Sequence, residues 1–286
     1  MKADFSLQGR TALVTGTSSG LGVVFAKALA AAGANVVLAA RRKDMLDAVA
    51  EEIDRDGGSV LAQPCDVTDS AAVRDLVAAG WERFGPVDVL VNNAGVSADA
   101  GIMPEKVPDE LFEQTVRVNL TGTFICCREV ATRLMAAGRP GAIVNVASVA
   151  GMGGAPYFPP GYQASKAAVI NLTRNLALSW ADRGIRVNAL APGWFPSEMT
   201  EGWFAVPEFR DRFERQSAAG RIGDHGELVG PLVFLASDAA SFVTGQTLAV
   251  DGGLTAATGV WPYSEELLAM QAAIIPGGLG QRVMPE

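Results

Sequence analysis

Short runs of β-branched and aliphatic residues alternate along this chain with longer, alanine-rich segments whose apolar residues recur at helical spacing. The short runs predict strands at 11–15, 35–39, 60–62, 87–91, 142–146, 185–190 and 247–250. The helical spacing is clearest over 20–32, 108–137 and 161–183. Strands and helices that alternate in this way are typical of βαβ units, in which the strands pair in parallel.

This alternation predicts an α/β fold of the Rossmann type, a doubly wound sheet of seven parallel strands with helices on both faces. We see no linker, so we expect one domain over residues 1–286 with a core at about 7–253. Two segments fall outside the alternation. Residues 195–220, which are rich in aromatic side chains and follow a strand, are predicted to form a lid, and 254–286 is an extension with no assigned role.

Composition and charge exclude several classes of protein. The chain is 49% hydrophobic and 19% charged, which is typical of a globular protein rather than a disordered one. A net charge of −8 without a basic run argues against a nucleic-acid partner. No apolar run is long enough to cross a bilayer, and the N-terminus lacks the apolar core of a signal peptide. We therefore expect a cytoplasmic protein with no membrane contact.

The cysteines and the single histidine do not suggest a metal site. Cys65, Cys126 and Cys127 have neither metal-ligand nor redox-motif spacing, so we interpret them as small buried apolar residues. His225 follows Gly-Asp in a predicted turn and is interpreted as a surface or helix-start residue. We expect no metal.

A glycine-rich turn, Thr-Gly-Thr-Ser-Ser-Gly-Leu-Gly at 15–22, joins the first predicted strand to the first helix. Glycines there let the backbone approach a pyrophosphate, and the helix N-terminus behind them offers free N–H groups and the positive end of its dipole. Such a turn is also an ordinary strand–helix connection. Its position inside a βαβ unit is what makes it a candidate dinucleotide site.

The end of the second predicted strand bears on which dinucleotide would bind. NAD-binding folds usually carry an acidic residue there for the ribose hydroxyls, whereas an arginine accommodates the 2′-phosphate of NADP. This chain has Ala-Ala followed by Arg41 and Arg42, and no carboxylate. The pattern favours NADP, with NAD possible; the alternative is two solvated charges at the start of a helix.

A phenol and an ammonium stand four positions apart on one predicted helix, at Tyr162 and Lys166. Side chains at that spacing share a helix face. A free tyrosine has a pKa of about 10, so a neighbouring cation together with an oxidised nicotinamide would favour the phenolate and allow proton exchange near neutral pH. The spacing also occurs without function. Tyr157 is a rival, but glycine stands four positions after it, so we expect Tyr157 to border the pocket.

These features occur in a fixed order with three others: Asn-Asn-Ala-Gly at 92–95, Ser148 after the fifth strand, and Pro-Gly at 192–193 after the sixth. With Asn119 in Val-Asn-Leu, the set resembles the short-chain dehydrogenase/reductase family, in its single-domain soluble main branch. The resemblance extends over about residues 7–253. Ser19 stands where many NADP-binding members carry a basic residue, and Ser197 stands where threonine is commoner.

The resemblance implies four roles in catalysis. Ser148 would hydrogen-bond the substrate oxygen, and Tyr162 would be the general acid in reduction and the general base in oxidation. Lys166 would lower the tyrosine pKa and bind the nicotinamide ribose. Asn119 would hold a water that links Lys166 to solvent.

The resemblance also implies the cofactor contacts, in which Tyr162 and Lys166 take part. The pyrophosphate would be bound by Gly16, Ser18, Ser19, Gly20, Leu21 and Gly22, and the 2′-phosphate by Arg41. The adenine would contact Asp66 and Val67, and the adenosine ribose would contact Asn93, Ala94 and Gly95. The nicotinamide carboxamide would be fixed by Pro192, Gly193, Phe195 and Ser197. Members of the family pair across two-fold axes, so a homotetramer is expected.

The resemblance leaves the substrate open. Aromatic side chains of the predicted lid suggest an apolar pocket and favour a bulky ketone or secondary alcohol, with hydride transfer to or from NADP(H). One alternative is a 3-oxoacyl-(acyl-carrier-protein) reductase, although only Arg139 offers a positive charge before the fifth strand. A second is a sugar or sugar-acid dehydrogenase. A third, of another class, is a dinucleotide-binding sensor without chemistry, which usually lacks the tyrosine or the lysine.

Overall fold

The fold was analysed in a computed structural model that describes residues 4–155 and 158–256. Seven parallel strands form one sheet in the order β3-β2-β1-β4-β5-β6-β7. Their bounds are β1 Thr11–Thr15, β2 Asn35–Ala40, β3 Val60–Pro64, β4 Val87–Asn92, β5 Gly141–Val146, β6 Ile185–Pro192 and β7 Thr247–Val250. The predicted doubly wound Rossmann-type sheet is confirmed.

Helices cover both faces of this sheet. Their bounds are α1 Gly20–Ala31, α2 Lys43–Arg55, α3 Ser70–Phe84, α4 Asp109–Val116, α5 Thr123–Ala136, α6 Pro160–Trp180, α7 Glu201–Phe204, α8 Pro207–Gln216 and α9 Val229–Ala236. None of the helices in the described part of the chain is both long and apolar enough to span a membrane.

The core is divided into two layers because side chains alternate between the faces of each strand. In β1, Ala12 and Val14 pack into a layer with Phe25 of α1, whereas Leu13 packs into the opposite layer with Leu76 of α3. Every residue of β1, β4 and β5 is buried. Continuous burial on both faces explains why apolar residues predominate in these strands instead of alternating with polar ones; the buried polar exceptions include Asp88 and Asn145.

The helix predicted over 108–137 is interrupted, which corrects the sequence-based expectation. A π-helical segment, Arg117–Gly122, separates α4 from α5. Within it, Asn119 turns its side chain to the loop after β4, and Gly122 packs so closely on Val67 that a Cβ would lie 2.7 Å from the valine side chain. Both contacts are long-range, so periodicity could not predict the interruption. Such π-segments are frequent at functional sites.

Candidate active site

A cavity of about 510 Å³ opens along the carboxyl ends of the strands. The chain reverses its direction of winding between β1 and β4, which are neighbours in the sheet, and such a switch point leaves a crevice where doubly wound folds bind ligands. All the sequence-predicted site residues line this cavity except Gly22 and Asn119.

The glycine-rich turn forms the floor of the cavity at the start of α1. Gly16 and Gly20 have φ angles of 71° and 56°, which side chains rarely adopt. Gly22 lies under the turn, where a Cβ would stand 2.1 Å from the carbonyl oxygen of Gly16. Ser19 precedes α1 and makes no side-chain cap, so this helix end keeps its N–H groups for another acceptor.

The loop after β4 holds that turn in place. Asn93 donates from its side-chain amide to the carbonyl oxygens of Thr15 and Gly16, at 3.1 and 3.2 Å. In return, the Thr15 hydroxyl accepts from the backbone N–H groups of Asn93 and Ala94. Asn93, Ala94 and Gly95 line the cavity beside the turn.

The end of the cavity beyond β2 and β3 carries Arg41, Asp66 and Val67. Arg41 is exposed at the rim. Burial opposes the charge of Asp66, but hydrogen bonds from Thr68 and the nearby Arg41 cation leave the pKa of this carboxyl below its usual value. Asp66 is therefore an ionised acceptor at neutral pH.

Glu198 lies in the same cavity and was missed in the sequence analysis. Its carboxylate pairs with Arg42, with Nη2 and Oε2 3.2 Å apart. The only sequence signal was the place of Glu198 in the stretch that follows Pro192 and Gly193.

Tyr162 and Lys166 enter the opposite end of the cavity from the first turns of α6. Lys166 Nζ donates a hydrogen bond of 2.7 Å to the carbonyl oxygen of Val146 and lies 5.6 Å from the centroid of the Tyr162 ring. Ser148 comes two residues after β5, and its hydroxyl accepts from the N–H of Ala150 at 3.1 Å. A hydroxyl that accepts there keeps its proton for another partner.

The two titratable groups have pKa values shifted by their surroundings. Desolvation raises the pKa of Tyr162, and the Ser148 hydroxyl partly counters it. Desolvation lowers the pKa of Lys166 to about 8. In the chain alone Tyr162 is therefore a phenol at neutral pH; the lowering of its pKa that we expect from Lys166 together with an oxidised nicotinamide stays a prediction.

Asn119 lies behind this end of the cavity rather than on its wall. It is buried, it donates to the Val96 carbonyl oxygen and to Ser165 Oγ at 2.9 and 3.0 Å, and it accepts from the Val96 N–H at 2.8 Å. It thus ties the loop after β4 to α6. Its oxygen and Lys166 Nζ both lie near Gly95, within 3.6 Å of the place that a Cβ would take.

The stretch after β6 closes the cavity from above. Gly193 packs against Asp251, where a Cβ would lie 2.8 Å from the aspartate Cα. Phe195 is buried against Gly223, and the Ser197 hydroxyl lies 3.1 Å from the Thr200 hydroxyl. Pro192 ends β6 beside them.

Aromatic rings surround Tyr162 on the side away from the glycine turn. The Phe158 ring makes edge contacts with Tyr162, Trp194 and Trp203, at centroid distances of 6.1, 6.0 and 5.7 Å. Phe213 of α8 packs behind the two tryptophans. All of these rings except Phe213 line the cavity. Tyr157 lies outside the described residues.

Within residues 4–155 and 158–256, no group of three or more histidine, cysteine, aspartate or glutamate side chains is placed to hold a metal. The three cysteines are free and buried, as interpreted from the sequence. His225 begins a short 3-10 helix, with Nε2 2.6 Å from the carbonyl oxygen of Pro196.

The sequence of this chain is similar to known proteins over most of its length. A family model described as enoyl-(acyl carrier protein) reductase matches residues 16–255. The gluconate 5-dehydrogenase of Gluconobacter oxydans (strain 621H) is 43% identical over 251 residues, which cover 88% of this chain and 96% of that protein. The chain belongs to the short-chain dehydrogenase/reductase family. It is an oxidoreductase, as the sequence analysis predicted.

Relatives within the family are named for chemically very different substrates. The 3beta-hydroxysteroid dehydrogenase 1 of Eggerthella lenta (strain ATCC 25559 / DSM 2243 / CCUG 17323 / JCM 9979 / KCTC 3265 / NCTC 11813 / VPI 0255 / 1899 B) is 41% identical over 251 residues, covering 87% of this chain and 95% of that protein. The crystal structure of a gluconate 5-dehydrogenase from Burkholderia cenocepacia J2315, in complex with NADP and tartrate, is similar with a TM-score of 0.85 and 38% identity, covering 90% of this chain and 99% of that one. The substrate must therefore be argued from the cavity of this chain.

Proposed function

We propose that this chain transfers a hydride between NADP(H) and an uncharged ketone or secondary alcohol with an apolar body, and that Tyr162 supplies or accepts the proton. The observation that carries the proposal is one continuous cavity with the glycine turn on its floor and Tyr162, Ser148 and Lys166 at its far end. The named relatives are dehydrogenases that act on alcohol carbons, and the Burkholderia structure contains NADP.

The floor of the cavity and the end that carries Arg41 suit a dinucleotide. Side chains at Gly16 or Gly22 would collide with neighbouring backbone, so the tight turn requires glycine at both positions. The uncapped start of α1 that follows the turn suits a pyrophosphate. Arg41 at the rim suits an adenosine 2′-phosphate, because a guanidinium matches phosphate geometry. We propose that NADP(H) is the preferred cofactor, and that NAD(H) also binds.

The chemistry divides between cofactor and protein in a simple way. The cofactor, when bound, donates or accepts the hydride. Tyr162 donates its phenolic proton to the substrate oxygen in reduction and takes it back in oxidation. The free proton of the Ser148 hydroxyl is available to the same oxygen, so two donors stabilise the charge that develops there. We propose that Lys166 binds the nicotinamide ribose and that Asn119 holds the water that returns protons to Lys166.

The aromatic end of the cavity argues for an uncharged substrate. Phe158, Trp194 and Trp203 offer large apolar faces to a bound molecule. Among the cavity-lining residues that the structure describes, the cations are Arg41, Arg42 and Lys166; the two arginines lie at the cofactor end, and Lys166 donates to Val146. Lys166 is the cation beside the Tyr162 ring, and the proposed mechanism assigns it to the nicotinamide ribose. A carboxylate bound between the rings would therefore compete for that one cation, and an unpaired buried charge is costly. A sugar acid is therefore a poorer fit than an apolar ketone.

The acyl-carrier-protein alternative is favoured by the description of the family model and by relatives named 3-oxoacyl-(acyl-carrier-protein) reductase, of which the Synechocystis sp. protein is 40% identical over 251 residues. Arg139, the positive charge considered for docking an acidic carrier, precedes β5 and so lies at the amino ends of the strands, away from the cavity. Its guanidinium is already paired with Asp88, at 3.1 Å. We rank this alternative second.

We also propose that the protein is a cytoplasmic homotetramer. Phe242, Leu178 and Phe124 are large apolar side chains that the single chain leaves exposed. Such side chains support a subunit interface.

The test of the proposed function is a matched pair of ketones assayed with NADPH. One member carries an aryl or alkyl body, and the other has the same size but ends in a carboxylate. We expect kcat/KM for the uncharged ketone to be at least about tenfold higher, the effect of about 1.4 kcal/mol of differential binding. A higher kcat/KM for the carboxylate would refute the substrate class, and no consumption of NADPH with any ketone would refute the activity.

A further inference from the structure

A small polar cluster bridges the mouth of the cavity. Glu198 accepts a hydrogen bond of 2.8 Å from the Ser19 hydroxyl and one of 3.2 Å from Arg42 Nη2. The same guanidinium donates to Ser18 Oγ and Ser19 Oγ, both at 3.0 Å from Nη2. The cluster joins the turn before α1 and the end of β2 to the stretch that follows β6.

Without Glu198, this cluster has the donors of an anion site. It presents a guanidinium and two hydroxyls directly before the uncapped start of α1, and each of these groups favours a negatively charged acceptor. It also lies at the end of β2, where folds of this kind accommodate the 2′-phosphate of NADP. In the structure, the Glu198 carboxylate takes the acceptor position.

Glu198 is a negative charge that can be displaced. Contacts with Ser19 and Arg42 hold the pKa of its carboxyl below the usual value, so it is ionised at neutral pH. The side chains of Arg42 and Glu198 are 48% and 57% exposed, and ion pairs between side chains this exposed are weak. A phosphate, which carries more charge and more acceptor oxygens, can replace such a partner.

We propose that Glu198 determines cofactor preference: its carboxylate occupies the acceptor position of Ser18, Ser19 and Arg42, and so weakens the binding of 2′-phosphorylated dinucleotides relative to NAD(H). This inference rests on the proposed function, because it concerns the same cofactor site. It also explains how a chain with two arginines after β2 can remain open to both dinucleotides: Glu198 neutralises Arg42, and Arg41 alone is left to favour NADP.

The experiment is a set of binding titrations with NADP⁺, NAD⁺ and adenosine 2′,5′-bisphosphate, which need no turnover. In Glu198→Gln the side chain keeps its hydrogen-bonding shape and loses its charge. We expect the Kd values of NADP⁺ and the bisphosphate to fall about three- to fivefold, the range that a weak exposed ion pair allows. The Kd of NAD⁺ should change less than about twofold. The matched control is Glu201→Gln, which removes the same charge from an exposed residue outside the cavity and should leave all three values unchanged.

A double-mutant cycle tests whether the effect passes through Arg42. In an Arg42→Ala background, Glu198→Gln should no longer tighten NADP⁺. Equal tightening of NAD⁺ and NADP⁺, an unchanged preference, or a full effect in the Arg42→Ala background would each overturn the inference. If the wild-type chain binds NADP⁺ and the preference does not move, only this inference fails. If the wild-type chain binds neither dinucleotide, the proposed function fails and the inference falls with it.

Discussion

Lys166 donates a hydrogen bond of 2.7 Å from its ammonium to the carbonyl oxygen of Val146, the last residue of β5. This bond fixes the cation next to the Tyr162 ring, in surroundings that leave the lysine only 5% exposed. Burial lowers the pKa of Lys166 to about 8, so at neutral pH the fold holds an ammonium against a desolvation cost. A charge kept at such a cost is typical of a functional site.

Replacing this lysine by an apolar side chain should therefore stabilise the fold. A pKa lowered from 10.5 to about 8 corresponds to roughly 3 kcal/mol at neutral pH. Loss of the hydrogen bond to Val146 reduces this gain in the free energy of unfolding by about 1 kcal/mol. We expect Lys166→Met to raise the free energy of unfolding by about 1–2 kcal/mol at pH 7 while activity is lost, as measured by urea denaturation and by turnover of a ketone.

The difference in unfolding free energy between Lys166→Met and the wild type should depend on pH. Below pH 8 the lysine is charged in both the folded and the unfolded state, so the cost is fully present; above about pH 10.5 it is neutral in both, and the cost is gone. The advantage of Lys166→Met should thus shrink between pH 8 and 10.5. Other groups that titrate there are common to both chains and cancel. A variant less stable than wild type at pH 7, or a difference that stays constant with pH, would contradict the account.

Asp99 holds the start of the helix that carries Tyr162. It is fully buried, and its two carboxylate oxygens accept from the Gly161 N–H at 2.6 Å and from the Thr115 hydroxyl at 3.1 Å. Asp99→Ala leaves the Gly161 N–H unsatisfied, whereas the Thr115 hydroxyl still has the Leu111 carbonyl oxygen at 3.0 Å. The free energy of unfolding should therefore fall by about 1–3 kcal/mol, and kcat should fall about tenfold as Tyr162 shifts. Because the turn before α1 is remote from Asp99, the Kd of NADP⁺ should remain within about twofold. Asp99→Asn, which keeps an acceptor for Gly161, should recover most of kcat; equal losses in the two variants would refute a positioning role.

Arg41 should carry most of the preference for the extra phosphate, since Arg42 is engaged by Glu198. Arg41→Ala is expected to raise the Kd of NADP⁺ about tenfold, because it removes a charge-assisted contact with a phosphate. The Kd of NAD⁺ should change about twofold or less, and fluorescence titration with both dinucleotides measures the ratio. Arg55→Ala, at the far end of α2, is the matched control. An unchanged ratio in Arg41→Ala would remove the basis for naming NADP.

Phe158 should matter for apolar substrates and little for the cofactor. Its ring lies between Tyr162 and Trp203. Phe158 is half-buried, and a bound aryl group would cover its remaining face. Loss of that contact costs about 1–3 kcal/mol of binding, so Phe158→Ala should raise KM for an aryl ketone by roughly ten- to a hundredfold. Phe209→Ala removes an exposed ring of α8 outside the cavity and serves as the control. An equal rise in KM for a small aliphatic ketone would indicate collapse of the aromatic end of the cavity rather than loss of an apolar contact.

The sequence predicted the strands well because each strand is a short run of β-branched and aliphatic residues, which can be recognised without knowledge of distant contacts. β1 and β7 have the predicted bounds, and the other strands differ from prediction by one or two residues at their ends. Tyr162 and Lys166 were predictable for the same reason, since a helix fixes the relation between positions four apart. The alternation also predicted the doubly wound parallel sheet, which brings the glycine turn and the helix with Tyr162 and Lys166 to the carboxyl ends of the strands.

The features that the sequence missed depend on contacts between distant segments. The π-segment around Asn119 follows from its bonds to Val96 and Ser165. Glu198 meets Arg42 across 156 positions of chain. The raised pKa of Tyr162 arises from desolvation, which no spacing of residues reveals.

The most direct test of the central claim is Tyr162→Phe, assayed with NADPH and an uncharged ketone alongside a titration of NADPH binding. The substitution removes one oxygen, and with it the only proton that the phenol can give to the substrate. We expect kcat/KM to fall by about 10³ or more while the Kd of NADPH stays within about threefold, since general acid catalysis contributes 10²–10⁴ and the hydroxyl also stabilises the developing charge. A variant that retains turnover within about tenfold of wild type would contradict the role of Tyr162 and the mechanism built on it.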